Sequence, residues 1–235
     1  MTLETRRAEL WDALQLGPRW VLRNEAAAAP GEAACSPADA VVALDWDALQ
    51  ARVASCTACG LCKSRTQTVF GVGHRAAPWL IIGEAPGAEE DARGEPFVGQ
   101  AGKLLDNMLA AVGRSRGATD EHSVYIANVL KCRPPGNRNP EPEEAAACAP
   151  FLRRQIVLLS PRVIVIMGRV AAQAVLGTDA TIASLRGRVH AVQAGDRSVP
   201  AVVTYHPAYL LRNLADKAKA WQDLQLACQA QARAT

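Results

Sequence analysis

Seven cysteines occur among the 235 residues, and the spacing of four of them could hold a metal. Cys56 and Cys59 form a C-x-x-C pair, whereas Cys132 and Cys148 follow far downstream. Two thiolates from one turn and two distant ones can close a four-cysteine site, which would serve zinc or an iron–sulfur cluster equally well. Cys62 could replace Cys59 in this set. The alternative is that Cys132 and Cys148 are small buried hydrophobic residues.

A second group of residues that could take part in binding or catalysis follows an apolar run. The segment Gly83-Glu84-Ala85-Pro86-Gly87 and the acidic run Ala88–Asp91 come directly after Trp79–Ile82. The glycines permit close approach of the backbone to a ligand, but the segment has neither a GxGxxG fingerprint nor a Walker lysine. The acidic run also disfavours phosphate binding. Taken alone, this segment is explained equally well as a solvated acidic turn.

Three single side chains stand in similar positions. Asn128 lies near the end of the apolar run Val124–Leu130, His206 follows the run Ala201–Tyr205, and Phe97 lies among turn residues. Each has an ordinary structural explanation: the asparagine could cap a turn, the phenylalanine could belong to the core, and a lone histidine is more often structural. Their shared position at strand ends favours a site.

The elements that must position these residues alternate along the chain. Short apolar runs of strand type predict strands at Trp79–Ile82, Val124–Leu130, Val163–Met167 and Ala201–Tyr205. Helical patterns between and after them predict helices over Lys103–Val112, Pro142–Leu159, Arg169–Leu176 and Lys217–Gln231. Near-continuous apolar strands separated by helices predict an α/β fold with three α/β/α layers around a central, mainly parallel four-stranded sheet. Active sites in such folds lie at the carboxyl ends of the strands.

The composition narrows the class of protein. No apolar run approaches about 18 residues, and the first 25 residues carry charges where a signal peptide needs an apolar stretch. We expect a cytoplasmic protein with no membrane association, whose cysteines stay reduced. Residues 1–55 hold five basic and eight acidic side chains, whereas residues 56–235 hold 21 basic and 15 acidic ones. Such an excess suits a nucleic-acid partner but is also typical of many cytoplasmic enzymes.

The domain boundary is predicted from composition. Residues 3–22 show a helical pattern interrupted by Gly17-Pro18, and an Ala- and Pro-rich stretch follows. We therefore expect an N-terminal helix and flexible linker over residues 1–44 and one folded domain over residues 45–235.

Four motifs, taken in order and in strand context, closely resemble family 4 uracil-DNA glycosylases over about residues 50–228. They are Gly83–Asp91, Glu95–Gly99, Tyr125–Pro135 and His206–Asn213. The resemblance implies a DNA repair enzyme of base excision, which flips uracil out of double- or single-stranded DNA and hydrolyses its N-glycosidic bond to leave an abasic site. A monomer is expected.

The resemblance also implies a cofactor. It makes Cys56, Cys59, Cys132 and Cys148 the ligands of a structural [4Fe–4S] cluster. It leaves Cys62 in a position that other family members fill with residues that are not ligands. Such a site couples metal binding to folding.

Site roles follow from the same motifs. The resemblance implies that Phe97 stacks on the flipped base, that Asn128 reads its Watson–Crick edge, and that His206 donates to the uracil O2 on which charge accumulates. Cytosine presents the reversed hydrogen-bonding pattern to Asn128 and would leave its amide unpaired.

The loop after the first strand is implied to line the pocket through the backbone of Gly83, Glu84 and Ala85. In family 1 enzymes the residue corresponding to Ala85 is an aspartate that orients water, which alanine cannot do. Glu84 is the nearby candidate, either to activate water or to hold the loop. Gly87 occupies the place of a bulky residue that family 1 uses against thymine.

The resemblance implies that the motif His206–Asn213 contacts DNA. Arg212 would enter or border the groove, and Leu210 and Leu211 would act as wedges that fill the vacated stack. The alternative is the start of an amphipathic helix.

Three competing functions remain to be compared. A suicidal relative that is trapped on uracil-DNA has Gln in place of Ala85 and a histidine-bearing basic insert, which this chain lacks. A non-catalytic DNA-binding module with a four-cysteine site would not need Phe97, Asn128 and His206 at strand ends. A glycosylase of altered base preference, for example for hypoxanthine, stays open.

Overall fold

The sheet has six strands in the computed structural model, which describes residues 39–233 together with 11, 13 and 14. The strands are β1 (Val72–Gly73), β2 (Trp79–Gly83), β3 (Val124–Asn128), β4 (Val163–Met167), β5 (Val189–Ala194) and β6 (Arg197–Thr204). Their order is β1-β3-β2-β4-β6-β5, and the four central strands β3, β2, β4 and β6 are parallel. Every residue of β2, β3 and β4 is buried, as expected where helices cover both faces. The predicted parallel centre is confirmed.

The two outer strands were not predicted. β1 pairs antiparallel with β3, and β5 pairs antiparallel with β6 through a tight turn at Gly195, whose φ is 64°. β1 has only two residues, and β5 is largely exposed, so neither has the continuous apolar pattern used to recognise the central strands. The predicted count of four strands therefore becomes six.

Nine α-helices are described. They are α1 (Asp39–Val42), α2 (Trp46–Ala54), α3 (Ala88–Arg93), α4 (Gln100–Ala111), α5 (Pro142–Leu159), α6 (Arg169–Leu176), α7 (Ile182–Leu185), α8 (Pro207–Arg212) and α9 (Lys217–Arg233). The bounds of α5 and α6 are those predicted, since α5 begins with Pro142 and a capping glutamate. Among the described residues, no helix is both long and apolar enough to cross a membrane.

Helices pack on both faces of the sheet. On one face, Leu80 and Ile82 of β2 belong to a core with Ile156 of α5. On the other face, Trp79 and Ile81 belong to a core with side chains of α4 and α9, including Leu105 and Leu224. The predicted three-layer architecture is confirmed.

Residues 37–235 form one compact unit. The helix and linker predicted for residues 1–44 lie mostly outside the described residues. Their structure, and the boundary after residue 44, stay predictions.

Candidate active site

A cleft of about 490 Å³ opens at the carboxyl ends of the parallel strands. Glu84 and Ala85 reach it from the end of β2, Asn128 from the end of β3, and His206 from the segment after β6, while Phe97 comes from the loop before α4. The structure therefore brings together side chains that are far apart in the sequence, at the edge of the sheet where the fold class predicts a site.

Gly83 lies beneath the cleft and brings two of these side chains close together. It is the direct partner of Asn128 in the parallel pairing of β2 with β3. A Cβ atom at position 83 would overlap both the amide oxygen of Asn128 and the ring of Phe97. The glycine is needed for this close approach rather than for a special turn.

Asn128 is buried but its amide is unpaired. The residue is 2% exposed, and its side chain has no hydrogen-bond partner among the described residues. The residue also lines the cleft, so a ligand in the cleft can reach the amide. The amide oxygen and NH2 group are therefore available to read a base edge in the cleft.

Phe97 is held in an uncommon backbone conformation. Its φ is 56°, a value that non-glycine residues adopt rarely. Arg116 donates to the carbonyl oxygen of Phe97 at 3.2 Å and to that of Pro96 at 3.1 Å. A Cβ on Gly102 of α4 would overlap the same Phe97 carbonyl, so this glycine lets the loop sit directly against the helix. Neither Arg116 nor Gly102 was recognised from the sequence, because their contacts join separate loops.

The acidic run in α3 fixes the walls of the cleft. Glu90 accepts from the backbone N–H groups of Gly87, Val98 and Gly99 at 3.1, 3.0 and 3.4 Å. Asp91 accepts from the backbone of Thr66 at 3.0 Å and is 3% exposed. The interpretation of a solvated acidic turn is wrong for these two residues, because both carboxylates tie loops together.

His206 caps helix α8 and is neutral. Its Nδ1 accepts from the backbone N–H of Ala208 at 3.1 Å. Burial lowers its pKa to about 4, and Arg212 lowers it further while Glu90 raises it. Since Nδ1 is an acceptor, the ring proton of the neutral form lies on Nε2, which is the donor available to a ligand. The ring also stacks on Phe97, with centroids 5.3 Å apart and planes inclined by 26°.

Two carboxylates line the cleft, and they differ in availability. Glu90 already accepts from the three backbone donors described above. The carboxylate of Glu84 has no hydrogen-bond partner among the described residues, although its backbone oxygen accepts from Leu130. Burial raises the pKa of Glu84, and Arg169 opposes that shift. Glu84 is therefore the cleft carboxylate that can hold a water molecule.

The mouth of the cleft carries the residues predicted to meet DNA. Arg212 lines the cleft and is exposed, and Leu211 is 43% exposed. Leu210 is 1% exposed and packs with Tyr205 and Ala220. A buried side chain cannot insert into a base stack, so the predicted wedge role fits Leu211 and does not fit Leu210.

Five cysteines line a second cavity, which we call the cysteine cavity. They are Cys56 and Cys59 after α2, Cys62 in the 3₁₀ turn Gly60–Lys63, Cys132 after β3, and Cys148 in α5. The four predicted ligands therefore face one cavity, and Cys62 shares it. The described cysteines are free of disulfide bonds. Cys35 lies outside the described residues.

The chemistry of this cavity fits an iron–sulfur cluster. Among the described residues, no three His, Cys, Asp or Glu side chains converge closely enough to hold a single metal ion. Four thiolates suit either zinc or an iron–sulfur cluster, and the metal content of the protein decides between them. The donors are all sulfur, and N–H groups of Arg65 and Lys131 donate to Cys132 and Cys148 at 3.1 and 3.3 Å.

A fully buried lysine connects the cysteine cavity with the cleft. Lys131 Nζ donates to the backbone oxygen of Asn128 at 2.8 Å and to Gln155 at 2.6 Å. Burial lowers its pKa to about 8, while the negative charges of Cys148 and Cys132 raise it. Gln155 in turn donates to the backbone of Phe70 at 3.0 Å. This network could not be predicted from the sequence, where Lys131 is marked only by its position beside a cysteine.

The family is shown by comparison with known proteins. Residues 70–225 match the model of the Uracil DNA glycosylase superfamily. The chain belongs to this superfamily, and the match spans the strands and loops that build the cleft.

Within the superfamily, the chain is similar to several type-4 enzymes. A type-4 uracil-DNA glycosylase of Archaeoglobus fulgidus is 45% identical over 169 residues, which cover 70% of this chain and 82% of that relative. Corresponding enzymes of Thermotoga maritima and Pyrobaculum aerophilum are 45% and 39% identical, over 69% and 78% of this chain and 81% and 93% of the relatives. The resemblance inferred from the four motifs is confirmed.

Proposed function

We propose that this protein removes uracil from DNA by flipping the nucleotide into the cleft and hydrolysing its N-glycosidic bond, as an enzyme of base excision repair. One observation carries the proposal: an unpaired buried amide, an aromatic ring and a neutral imidazole meet above Gly83. A protein that only binds DNA has no use for a base-sized pocket with a directed donor. Unpairing the nucleotide costs a few kcal/mol, which contacts in the pocket must offset.

Selection of the base would rest on Asn128. Its amide oxygen accepts from N3–H of uracil and its NH2 group donates to O4. Cytosine presents a donor and an acceptor in the opposite places, so both groups of Asn128 would stay buried and unpaired. Bound cytosine would keep cleft water away from the Asn128 amide without pairing it, and this mismatch would weaken binding of cytosine. Phe97 provides the face on which the base stacks, at about 1–3 kcal/mol.

Departure of the base would rest on His206. Cleavage of the bond between C1′ and N1 leaves negative charge on the uracil ring and positive charge on the sugar. The Nε2–H of a neutral His206 donates to O2, where the negative charge grows, without itself transferring a proton. Cap formation with Ala208 fixes the tautomer and the orientation of the ring in advance.

Attack by water would rest on Glu84. Glu84 has a free carboxylate in the cleft, and Ala85 beside it has no polar side chain. A carboxylate with a raised pKa is a better base than an exposed one, and its negative charge also stabilises the developing sugar cation. The backbone of Gly83, Glu84 and Ala85 forms the wall along which the water is held.

The cofactor would be a [4Fe–4S] cluster held by Cys56, Cys59, Cys132 and Cys148. When bound, it supplies a covalent tie between the segment after α2, the end of β3, and α5. The thiolates of Cys132 and Cys148 flank the lysine that holds the Asn128 backbone, so the tie supports the floor of the cleft.

The partner would be uracil-containing DNA, double- or single-stranded, bound by a monomer. Arg212 lies at the mouth of the cleft with Leu211 exposed beside it. The positive excess of residues 56–235 favours a polyanion. Action in the cytoplasm is consistent with thiolate ligands, which need a reducing compartment.

One assay tests the activity. Anaerobically purified protein is incubated with oligonucleotides that contain uracil, cytosine, thymine or hypoxanthine at one position, and alkali then cleaves any abasic site. Strand cleavage only at uracil is the expected result. Cleavage only at hypoxanthine would establish an altered base preference, and binding without cleavage of any substrate would leave a DNA-binding module.

A further inference from the structure

Two cations border the cysteine cavity. The described residues that line it include Arg65 and Lys131 and no aspartate or glutamate. The remaining lining is apolar apart from the cysteines, with Leu61, Leu130 and Phe151 among its members. A cation beside an apolar, buried cavity is costly unless it faces a negative group.

Arg65 bridges two of the segments that carry cysteines. Its Nη1 donates to Cys132 Sγ at 3.1 Å, and its Nη2 donates to the backbone oxygen of Ala54 at 3.3 Å. Ala54 ends α2, just before Cys56, whereas Cys132 follows β3. The rigid planar guanidinium can make both contacts at once, which a lysine ammonium cannot do in the same geometry.

Lys131 is the second cation that lines the cavity. Its backbone N–H donates to Cys148 Sγ at 3.3 Å, and its side chain is held by Asn128 and Gln155. At 1% exposure its ammonium is shielded from water. The charge therefore acts on the neighbouring thiolates through a medium of low dielectric constant.

A cluster bound by four thiolates is an anion, because the thiolate charges outweigh the positive charge of the iron–sulfide core. Burying it requires compensating charge, and adding an electron increases that requirement. Cations and N–H donors to the cysteine sulfurs are among the features that set the potential of iron–sulfur centres. Arg65 and Lys131 supply both features: each carries a positive charge, and each donates an N–H group to a cysteine sulfur.

We propose that Arg65 and Lys131 are the countercharges of the cysteine-bound cluster, and that Arg65 raises its reduction potential by donating to Cys132 Sγ. The inference rests on the proposed cofactor. Neither residue donates electrons or ligates iron; both favour the more negative, reduced form over the oxidised form. Arg65 is a positioning residue as well, since it joins the end of α2 to Cys132.

Reduction potentials measured by protein film voltammetry on the full chain test this role. Arg65→Gln keeps an N–H donor but removes the charge, and we expect the reduced form to become about tenfold less favourable, a decrease of about 59 mV for a one-electron couple. Lys131→Gln should lower the potential in the same direction. Arg65→Lys keeps the charge but loses the double contact, so its decrease should be smaller.

The matched control is Arg188→Gln, which removes an exposed arginine just before β5. Its potential should equal that of the wild type. Potentials of the Arg65→Gln and Lys131→Gln proteins that equal the wild-type value would overturn the inference. Should Arg65→Gln fail to retain iron, Lys131→Gln decides: a lowered potential supports the countercharge role and an unchanged one rejects it.

The iron and zinc content of the wild-type protein is measured first, because it tests the proposed cofactor separately from the proposed role of the two cations. Zinc without iron would refute the proposed cofactor and with it this inference. Iron in the wild type with unchanged potentials in the variants would refute only the role of Arg65 and Lys131.

Discussion

Replacement of His206 separates its structural role from its proposed catalytic role. In His206→Ala the backbone N–H of Ala208 loses its cap acceptor, which costs about 1 kcal/mol of stability. The stacked contact with Phe97 is also lost, at about 0.5–1.5 kcal/mol. Together these losses amount to roughly 2 kcal/mol, or a decrease in Tm of roughly 4–8 °C for a domain of this size.

The expected effect on rate is much larger than the effect on stability. One lost donor to a developing oxyanion costs about 3–4 kcal/mol, or about 10²–10³ in the single-turnover rate of uracil excision. A loss of roughly 2 kcal/mol leaves a typical domain almost fully folded at 25 °C, so unfolding cannot account for such a decrease.

His206→Asn is the matched control for the cap. Asparagine is among the best N-cap residues, so this variant should keep most of the helix stability. Its short amide does not reach the position of Nε2, and the rate should fall as far as in His206→Ala. Thermal unfolding and single-turnover excision on the same preparations give both quantities. A wild-type rate for His206→Asn, or a rate loss in His206→Ala that disappears at low temperature together with the stability loss, would refute the assignment.

Three further outcomes follow from the site. Asn128→Asp should reduce uracil excision by orders of magnitude, since an ionised carboxylate repels O4, and any trace of cytosine excision should grow relative to uracil excision. An unchanged rate on uracil oligonucleotides would show that other residues read the base. The single-turnover rate should fall as pH falls through the raised pKa of Glu84. It should show no ionisation of His206 between about pH 6 and 8, because the pKa of that imidazole is lowered to about 4. Glu84→Gln should abolish this acid limb, and a rate that instead decreases as pH rises through 6.5, the ordinary value for histidine, would mean that His206 acts as a cation. Cys148→Ser should lose iron and soluble yield, whereas Cys62→Ser should keep the wild-type iron content; equal iron loss in both variants would show that Cys62 is a ligand despite the family pattern.

The local pattern of apolar and capping residues was enough to predict several elements of this structure. Val163–Met167 and Arg169–Leu176 were predicted with their observed bounds, because a buried parallel strand and the helix after it are recognisable from their own side chains. The same holds for α5, whose first turn is marked by a proline and a capping glutamate. The motif residues could likewise be placed at strand ends, and with them the family.

Contacts between distant segments were beyond the reach of such patterns. The edge strand β5 depends on its pairing with β6, not on an apolar run of its own. Leu210 and Leu211 are neighbours of the same type, and only packing against Tyr205 decides that the first is buried and the second exposed. A solvated turn was one interpretation of Glu90 and Asp91, because their backbone partners lie in other loops and are not recognisable from the sequence.

The sequence by itself determined which side chains are present: the cysteines proposed to hold a cluster, and the amide, aromatic ring and imidazole proposed to bind a flipped base. The tertiary structure alone decided their state. His206 is neutral because burial around the cleft desolvates it, Asn128 meets Phe97 because Gly83 leaves room, and Arg65 reaches Cys132 across 67 positions of the chain. Protonation, close approach and charge compensation depend on distances in space, which the order of residues along a chain does not contain.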